Sequence, residues 1–175
     1  MVRLNTLICG VALAVTGLVV LPAPAHAADA PASRDKAAIE ALEARFAAAF
    51  NARDVDAIMR VYAPGSGLFV FDVTPPRQHV GWTDYRADWV DTFKSMPPVF
   101  HFSISDLTVT VVGPVAYGHS IQSEVFTRKD GSKGSVVVRV TDVYRKIHGR
   151  WLIVQEHVSV PVDVVTGKAD LLSKP

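Results

Sequence analysis

The side chains that could do chemistry stand on apolar, strand-like runs. Asp72 closes the run Leu68-Phe69-Val70-Phe71 and is followed by Val73. Burial between such neighbours would raise its pKa toward that of a useful general base. The same position also fits a turn aspartate that bonds backbone amides ahead of Thr74-Pro75, or that pairs with Arg77. His157 and Ser159 lie in the run Gly149 to Pro161. At strand period two, Trp151, Ile153, Gln155, His157 and Ser159 share one face, a pattern that suits a pocket wall. His119 shares a face with Tyr117, Ile121 and Val125, and Asp142 with Val138, Val140 and Tyr144; both faces read as inward. An inward carboxylate needs a partner, because an unpaired buried charge is costly. His119 or His157 could supply it, so a His–Asp pair is expected; otherwise Asp142 pairs with Arg139 or Arg145 at the rim.

Other chemistries find less support. Two histidines and Asp142 could ligate a metal, but no short-spaced motif such as His-Glu-x-x-His occurs, so no metal is expected. Ser159 has no Gly-x-Ser-x-Gly elbow around it, which discards a serine nucleophile. Gly131-Ser132-Lys133-Gly134 reads as a hairpin turn rather than a phosphate-binding loop. No cofactor is expected.

Helices and strands must hold these residues in place. Apolar residues recur at helical spacing from Asp35 to Asn51 (Ile39, Leu42, Phe46, Ala49, Phe50), with Ser33 or Asp35 as a candidate cap. Asp54 can cap a second helix carrying Val55, Ile58, Met59 and Tyr62. A short strand follows at Leu68 to Phe71. Thr83 then caps a third helix to Ser95, with Tyr85, Trp89, Val90 and Phe93 along one side. Four strands complete the pattern: Val99 to Val112, Val115 to Thr127, Ser135 to Ile147 and Arg150 to Val160. Gly113-Pro114, Asp130-Gly131 and His148-Gly149 supply hairpin chemistry between them. The order predicts an α+β domain, three helices packed on a curved antiparallel sheet that encloses a cone-shaped cavity.

Bulk properties set limits on partners. Arg3, the apolar run Leu7 to Leu21 and Ala25-His26-Ala27 predict an export signal over residues 1–27, and so a periplasmic or secreted protein. Residues 28–34 read as a mobile leader, 35–163 as the domain and 164–175 as an irregular tail. The only cysteine, Cys9, lies inside the signal, so disulfides and thiol chemistry drop out of the mature chain. Arg3 is also the only charged residue of that segment, which leaves 17 basic and 17 acidic residues. No basic stripe appears, so nucleic acid is not an expected partner. Nor does any later segment resemble a membrane span.

Several local patterns together resemble the SnoaL-like branch of the ketosteroid-isomerase and nuclear-transport-factor superfamily. They are Phe50-Asn51-Ala52-Arg53-Asp54 with Ala57 and Tyr62, Phe71-Asp72, Gly149-x-Trp151 and His157-x-Ser159. The resemblance covers roughly residues 36–163 and implies a fold more firmly than a reaction. By position, Asp72 is similar to the general base of ketosteroid isomerases, and Asp142 to their protonated oxyanion-hole aspartate. Phe46 stands where those enzymes place an oxyanion-hole tyrosine, so their mechanism loses a donor here. His119 and His157 are similar to pocket positions of the related kinase association domains, which assemble without chemistry. The resemblance implies a cavity for a small apolar molecule, lined by Phe46, Trp82, Tyr85, Trp89, His119, Gln155 and Ser159, with Asp72, Asp142 and His157 as candidate catalytic groups. It also implies a homodimer through the outer sheet face near Arg139 and Thr141. Two functions stay open: cofactor-free proton transfer on an apolar carbonyl compound (isomerase, cyclase or dehydratase type), or non-catalytic binding or assembly.

Overall fold

The computed structural model describes residues 29–173. The export signal expected at residues 1–27 lies outside the described residues. Three helices, α1 (Asp29–Ala52), α2 (Val55–Met59) and α3 (Trp82–Ser95), accompany six strands. These are β1 (Phe69–Phe71), β2 (His79–Val80), β3 (Val99–Val112), β4 (Val115–Thr127), β5 (Lys133–Ile147) and β6 (Arg150–Ser159). One sheet holds all six, in the order β2-β1-β6-β5-β4-β3. Every neighbouring pair is antiparallel except β1 with β6, which run parallel.

α1 forms because its apolar residues recur every three to four positions, and that stripe packs on the inner sheet face. Ile39, Leu42, Phe46, Ala49 and Phe50 are buried there with Phe102, Val109, Ala116, Tyr144, Trp151 and Ile153. The helix begins at Asp29, so residues 29–34 are helical rather than a mobile leader; the run is alanine-rich, and Pro31 falls in the first turn, where a missing amide costs nothing. Neither Ser33 nor Asp35 is therefore a cap. Asp35 instead accepts hydrogen bonds from Trp151 Nε1 (3.0 Å) and Lys146 Nζ (2.6 Å), fastening the helix to the β5–β6 hairpin.

Asp54 does cap α2, its Oδ1 accepting from the Ala57 amide at 2.8 Å. Gly81, not Thr83, stands at the start of α3, and no side chain caps that end. The chain segment after α2 joins the sheet: Ala63 N and Ile153 N bond Ile153 O and Val61 O, at 2.8 and 2.9 Å, which sets Tyr62 beside β6. At the C-terminal end Val162 bridges Ala169, and the Val137 amide donates to Leu171 O.

Two bulges bend the sheet over α1. One lies in β3 between Ser105 and Thr108. The other lies in β6: Tyr144 pairs with Ile153 and Val143 with Gln155, so Val154 is an extra residue. The bulge reverses which side of β6 each later residue faces. β3 is an edge strand, and Asn51 at the end of α1 satisfies part of its free backbone. Its Oδ1 accepts from Phe102 N at 2.8 Å, and its Nδ2 donates to Phe102 O and Ala47 O, both at 2.9 Å. Asn51→Ala should leave the buried Phe102 amide and carbonyl unpaired and cost about 1–3 kcal/mol; urea denaturation of the variant beside the parent measures it.

Candidate functional site

Between α3, the second half of α1 and the inner face of β3–β6 lies a cavity of about 590 Å³. Its floor is aromatic. Phe46 meets Trp89 and Phe102 edge-on at 5.9 and 5.7 Å, and Phe50 stacks on Phe102 at 4.2 Å. Tyr85, Gln122, Glu124 and Glu156 line the inner wall, and Asp72, Asp88 and Asp91 the α3 side and rim.

Behind this wall lies a cluster of three buried carboxyl groups and three tyrosines. Glu156 accepts from Tyr62 Oη through Oε2 (2.8 Å) and from Tyr85 Oη through Oε1 (2.9 Å). Tyr144 Oη lies 2.9 Å from Glu43 Oε1 and 3.4 Å from Asp142 Oδ2. A hydroxyl has one proton to give, so Tyr144 can donate to only one of these carboxylates. The other contact is a hydrogen bond only if that carboxyl is itself protonated. Asp142 and Glu156 face each other directly across the β5–β6 ladder, where two like charges would repel. Gly118 pairs with Asp142 on the other side. A Cβ there would sit 3.0 Å from Thr108 O and 3.3 Å from Tyr144 Oη, so a larger residue would crowd the tyrosine that reaches Glu43.

The electrostatics follow from burial without a cation. Glu43 and Glu156 are each pushed up to about 7, chiefly by desolvation, while the tyrosine hydroxyls pull them partly back. Repulsion from Asp72 adds to the rise at Glu156. Asp142 lies well above the ordinary carboxylate range, first through burial and then through Glu156 and Glu43. Burial and the neighbouring carboxylates keep Tyr62 and Tyr85 neutral, so they remain donors.

The residues singled out in the sequence divide into two groups. Asp72, Phe46, Tyr85 and Trp89 line the cavity. Asp72 follows β1 at the rim, and the Val73 amide donates to its Oδ1 at 2.5 Å. Asp142 is buried but stands behind the wall. His119, Gln155 and His157 are exposed on the outer sheet face, and Ser159 is half-buried away from the cavity. Thr141 pairs with both histidines, which places all three in one outward row. Neither His119 nor His157 therefore pairs with Asp142, and His157 does not reach the cavity as a catalytic group; its ring packs on Phe71, centroids 5.4 Å apart. On β6 the reason is the Val154 bulge, which exchanges Gln155 for Glu156 opposite Asp142. On β4 the inward set is Ala116, Gly118, Ser120 and Gln122, because small residues must fit beneath α1 and Tyr144. Trp82 is also outside the cavity; its Nε1 donates to Met59 O at 2.9 Å, tying α3 to α2.

Five carboxyl groups escaped the sequence reading, Asp91 and Glu124 of the cavity wall among them. Glu43 was legible, since it is four residues after Ile39 and three before Phe46, on the buried stripe of α1. Glu156 was hidden by the bulge. Asp88 stands one turn after Asp84 on α3, with His79 of β2 between them at 3.2 Å from Asp84 and 3.7 Å from Asp88. The two-residue strand that carries His79 has too little pattern to be seen in sequence.

A family model for the SnoaL-like domain matches residues 39–163. Among solved structures, an NTF2-like protein of unknown function from Pseudomonas putida is 28% identical, with a TM-score of 0.74 over 82% of this chain and 98% of its own. A protein of the NTF2-like family from Streptomyces avermitilis, proposed to be a dehydratase, is 15% identical, with a TM-score of 0.64 over 73% and 97%. A ketosteroid isomerase-like protein from Erwinia carotovora is 20% identical, with a TM-score of 0.59 over 70% and 93%. The last two likenesses concern the fold alone. No curated protein matches the sequence.

The raised carboxyl groups set a pH dependence of stability. Glu43 and Glu156 hold protons when folded that the unfolded chain releases at its ordinary value of 4.5. Their contribution is full below that value and is lost as pH rises through about 7. Urea denaturation should thus show stability falling by roughly 1–3 kcal/mol between about pH 5 and about pH 8, and Glu156→Gln should flatten part of that slope.

Proposed function

The chain belongs to the SnoaL-like family, and we propose that its cavity binds a small apolar carbonyl compound and moves a proton on it without a cofactor. One observation carries this reading: Glu156, a carboxyl raised to about 7, stands in the wall of a cavity with an aromatic floor that Asp72 also lines. Two carboxyl groups in different settings, one buried against tyrosines and one at the rim, can take opposite roles in acid–base chemistry. A cavity of this size suits a compound of one to three rings.

In the proposed step Asp72 takes a proton from the carbon next to the carbonyl. The electron pair of that C–H bond forms the C=C bond, and Glu156 gives its proton to the carbonyl oxygen, leaving a neutral enol. Proton return to a different carbon isomerises the compound, and loss of a β-hydroxyl as water dehydrates it. Tyr62 and Tyr85 would stabilise the Glu156 carboxylate left behind, through the hydrogen bonds they already make. Asp72 and, one layer back, Glu43 favour the protonated form of Glu156 by repulsion, while Asp142 faces it across the β5–β6 ladder as a positioning group.

A second reading, ligand binding without turnover, draws on Phe46. It puts a ring on the cavity floor at the position where the resemblance to ketosteroid isomerases calls for a hydroxyl. The proposal also includes export by the segment 1–27 and a homodimer through the outer face of β4–β6, where Tyr117 is 51% exposed beside His119.

Exchange of α-protons for deuterium in a panel of one- to three-ring ketones, followed by NMR, separates the two readings. Catalysis predicts that Asp72→Asn and Glu156→Gln each slow exchange by about 100-fold or more while ligand-induced thermal stabilisation is retained. Ligands that stabilise the protein but exchange no faster than in buffer would leave binding as the function.

A further inference from the structure

The cavity wall has a one-sided charge. Asp72, Asp88, Asp91 and Glu124 line it beside the proton-holding Glu156, and among the described residues no lysine, arginine or histidine does. The cations beside the wall lie outside it, and two of them pair with its acids. Lys94 reaches Asp91 at 2.8 Å on the solvent side of α3. Arg53 lies over the Phe100 and Phe93 rings, at 4.7 and 5.9 Å, and donates to the carbonyls of Phe93 and Pro97. His79 sits behind α3 between Asp84 and Asp88.

Glu124 is the most telling member. It is half-buried in the wall, and among the described residues no hydrogen bond or ion pair reaches its carboxylate. Desolvation raises it, and the field of Arg53 relieves only part of that. Asp88 is raised too, through burial and the repulsion of Asp72, Asp84 and Asp91 against the pull of His79. Glu124, half-buried and without an ion-pair partner among the described residues, is costly until something cationic enters. An anionic ligand would be repelled, and a neutral one would cover Glu124 without pairing it. The rest of the wall favours the same guest, since aromatic rings such as Phe46, Phe50 and Phe102 attract a desolvated ammonium. Trp89, also in the wall and only 6% exposed, has an Nε1 with no acceptor in the protein. That orphan donor calls for an acceptor oxygen on the guest.

We propose that the natural ligand is an organic cation, an apolar amine or quaternary ammonium compound that also carries an acceptor oxygen, with its charge held by the unpaired wall carboxylate Glu124. This inference rests on the cavity being a small-molecule site, and it narrows the carbonyl compound to an amino-carbonyl one. The ammonium then orients the substrate: anchored at Glu124, it leaves the carbonyl end for Glu156 and Asp72. It also explains why so many acids surround a pocket whose floor is apolar.

Three probes of one shape test it: 4-phenylbutylammonium, 4-phenylbutan-1-ol and 4-phenylbutanoate, titrated calorimetrically into the full mature chain. The cation should bind at least about tenfold tighter than the alcohol, and the carboxylate least of all. The gap should narrow as ionic strength rises. Glu124→Gln should weaken the cation by several-fold and leave the alcohol unchanged, with an unaltered melting temperature showing that the fold is intact. Equal binding of alcohol and cation, or a cation preference untouched by Glu124→Gln, would overturn the inference while leaving the small-molecule site standing. Failure of all three probes to bind the folded chain would overturn both.

Discussion

Three carboxyl groups with no cation among them have to share protons, and the fold is arranged around that requirement. Glu43 comes from α1, Asp142 from β5 and Glu156 from β6, while Tyr62, Tyr85 and Tyr144 bring hydroxyls from the segment after α2, from α3 and from β5. Ionised together in this setting, the acids would repel and lose their hydration with little return. Protonated in part, each becomes a donor or an acceptor for its neighbour, and the cluster ties helices to sheet through hydrogen bonds rather than ion pairs. The proposed reaction draws on the same condition: a carboxyl that keeps its proton near neutral pH can give it to a bound oxygen. Stability and the proposed chemistry thus share one group, Glu156.

A single inserted residue decides which side chains reach the cavity. The His148-Gly149 turn, with both residues at positive φ, sets Ile147 against Arg150 and starts the β5–β6 ladder in the expected register. Continued without a break, that ladder would place Gln155 opposite Asp142 and turn His157 inward. Val154 shifts it by one, and Glu156 takes the place.

Architecture was legible in the sequence because it rests on repeated local signals: the stripe from Ile39 to Phe50, the turn residues, and long runs of branched residues. The cavity was legible where it depends on helices, as at Phe46, Tyr85 and Trp89, and at Asp72, which ends a short strand. It was misread on β4 and β6, where strand parity alone chose the face. Alternation fixes which residues go together but not which side is inside. The true inward set of β4 carries Ala116, Gly118 and Ser120, too small to announce a core, while Tyr117 and Ile121 on the outer face looked more like one. Bulges leave almost no mark in composition, so Val154 could be found only in three dimensions. Glu43 is a different kind of omission: a charged residue on an apolar helix stripe is a visible anomaly, and its spacing already placed it among the buried residues.

The cavity therefore has two layers, an aromatic and acidic wall that a guest would touch, and a proton-holding cluster behind it that Glu156 joins to the wall. Both layers depend on the protonation of that residue. Carbon-13 NMR of glutamate side-chain carboxyls, titrated in the parent chain and in Glu156→Gln, reads it directly. One carboxyl resonance should disappear in the variant and titrate at about 7 in the parent. Titration of that resonance near the ordinary 4.5 would contradict it, because an acid already ionised cannot hold the cluster or donate a proton.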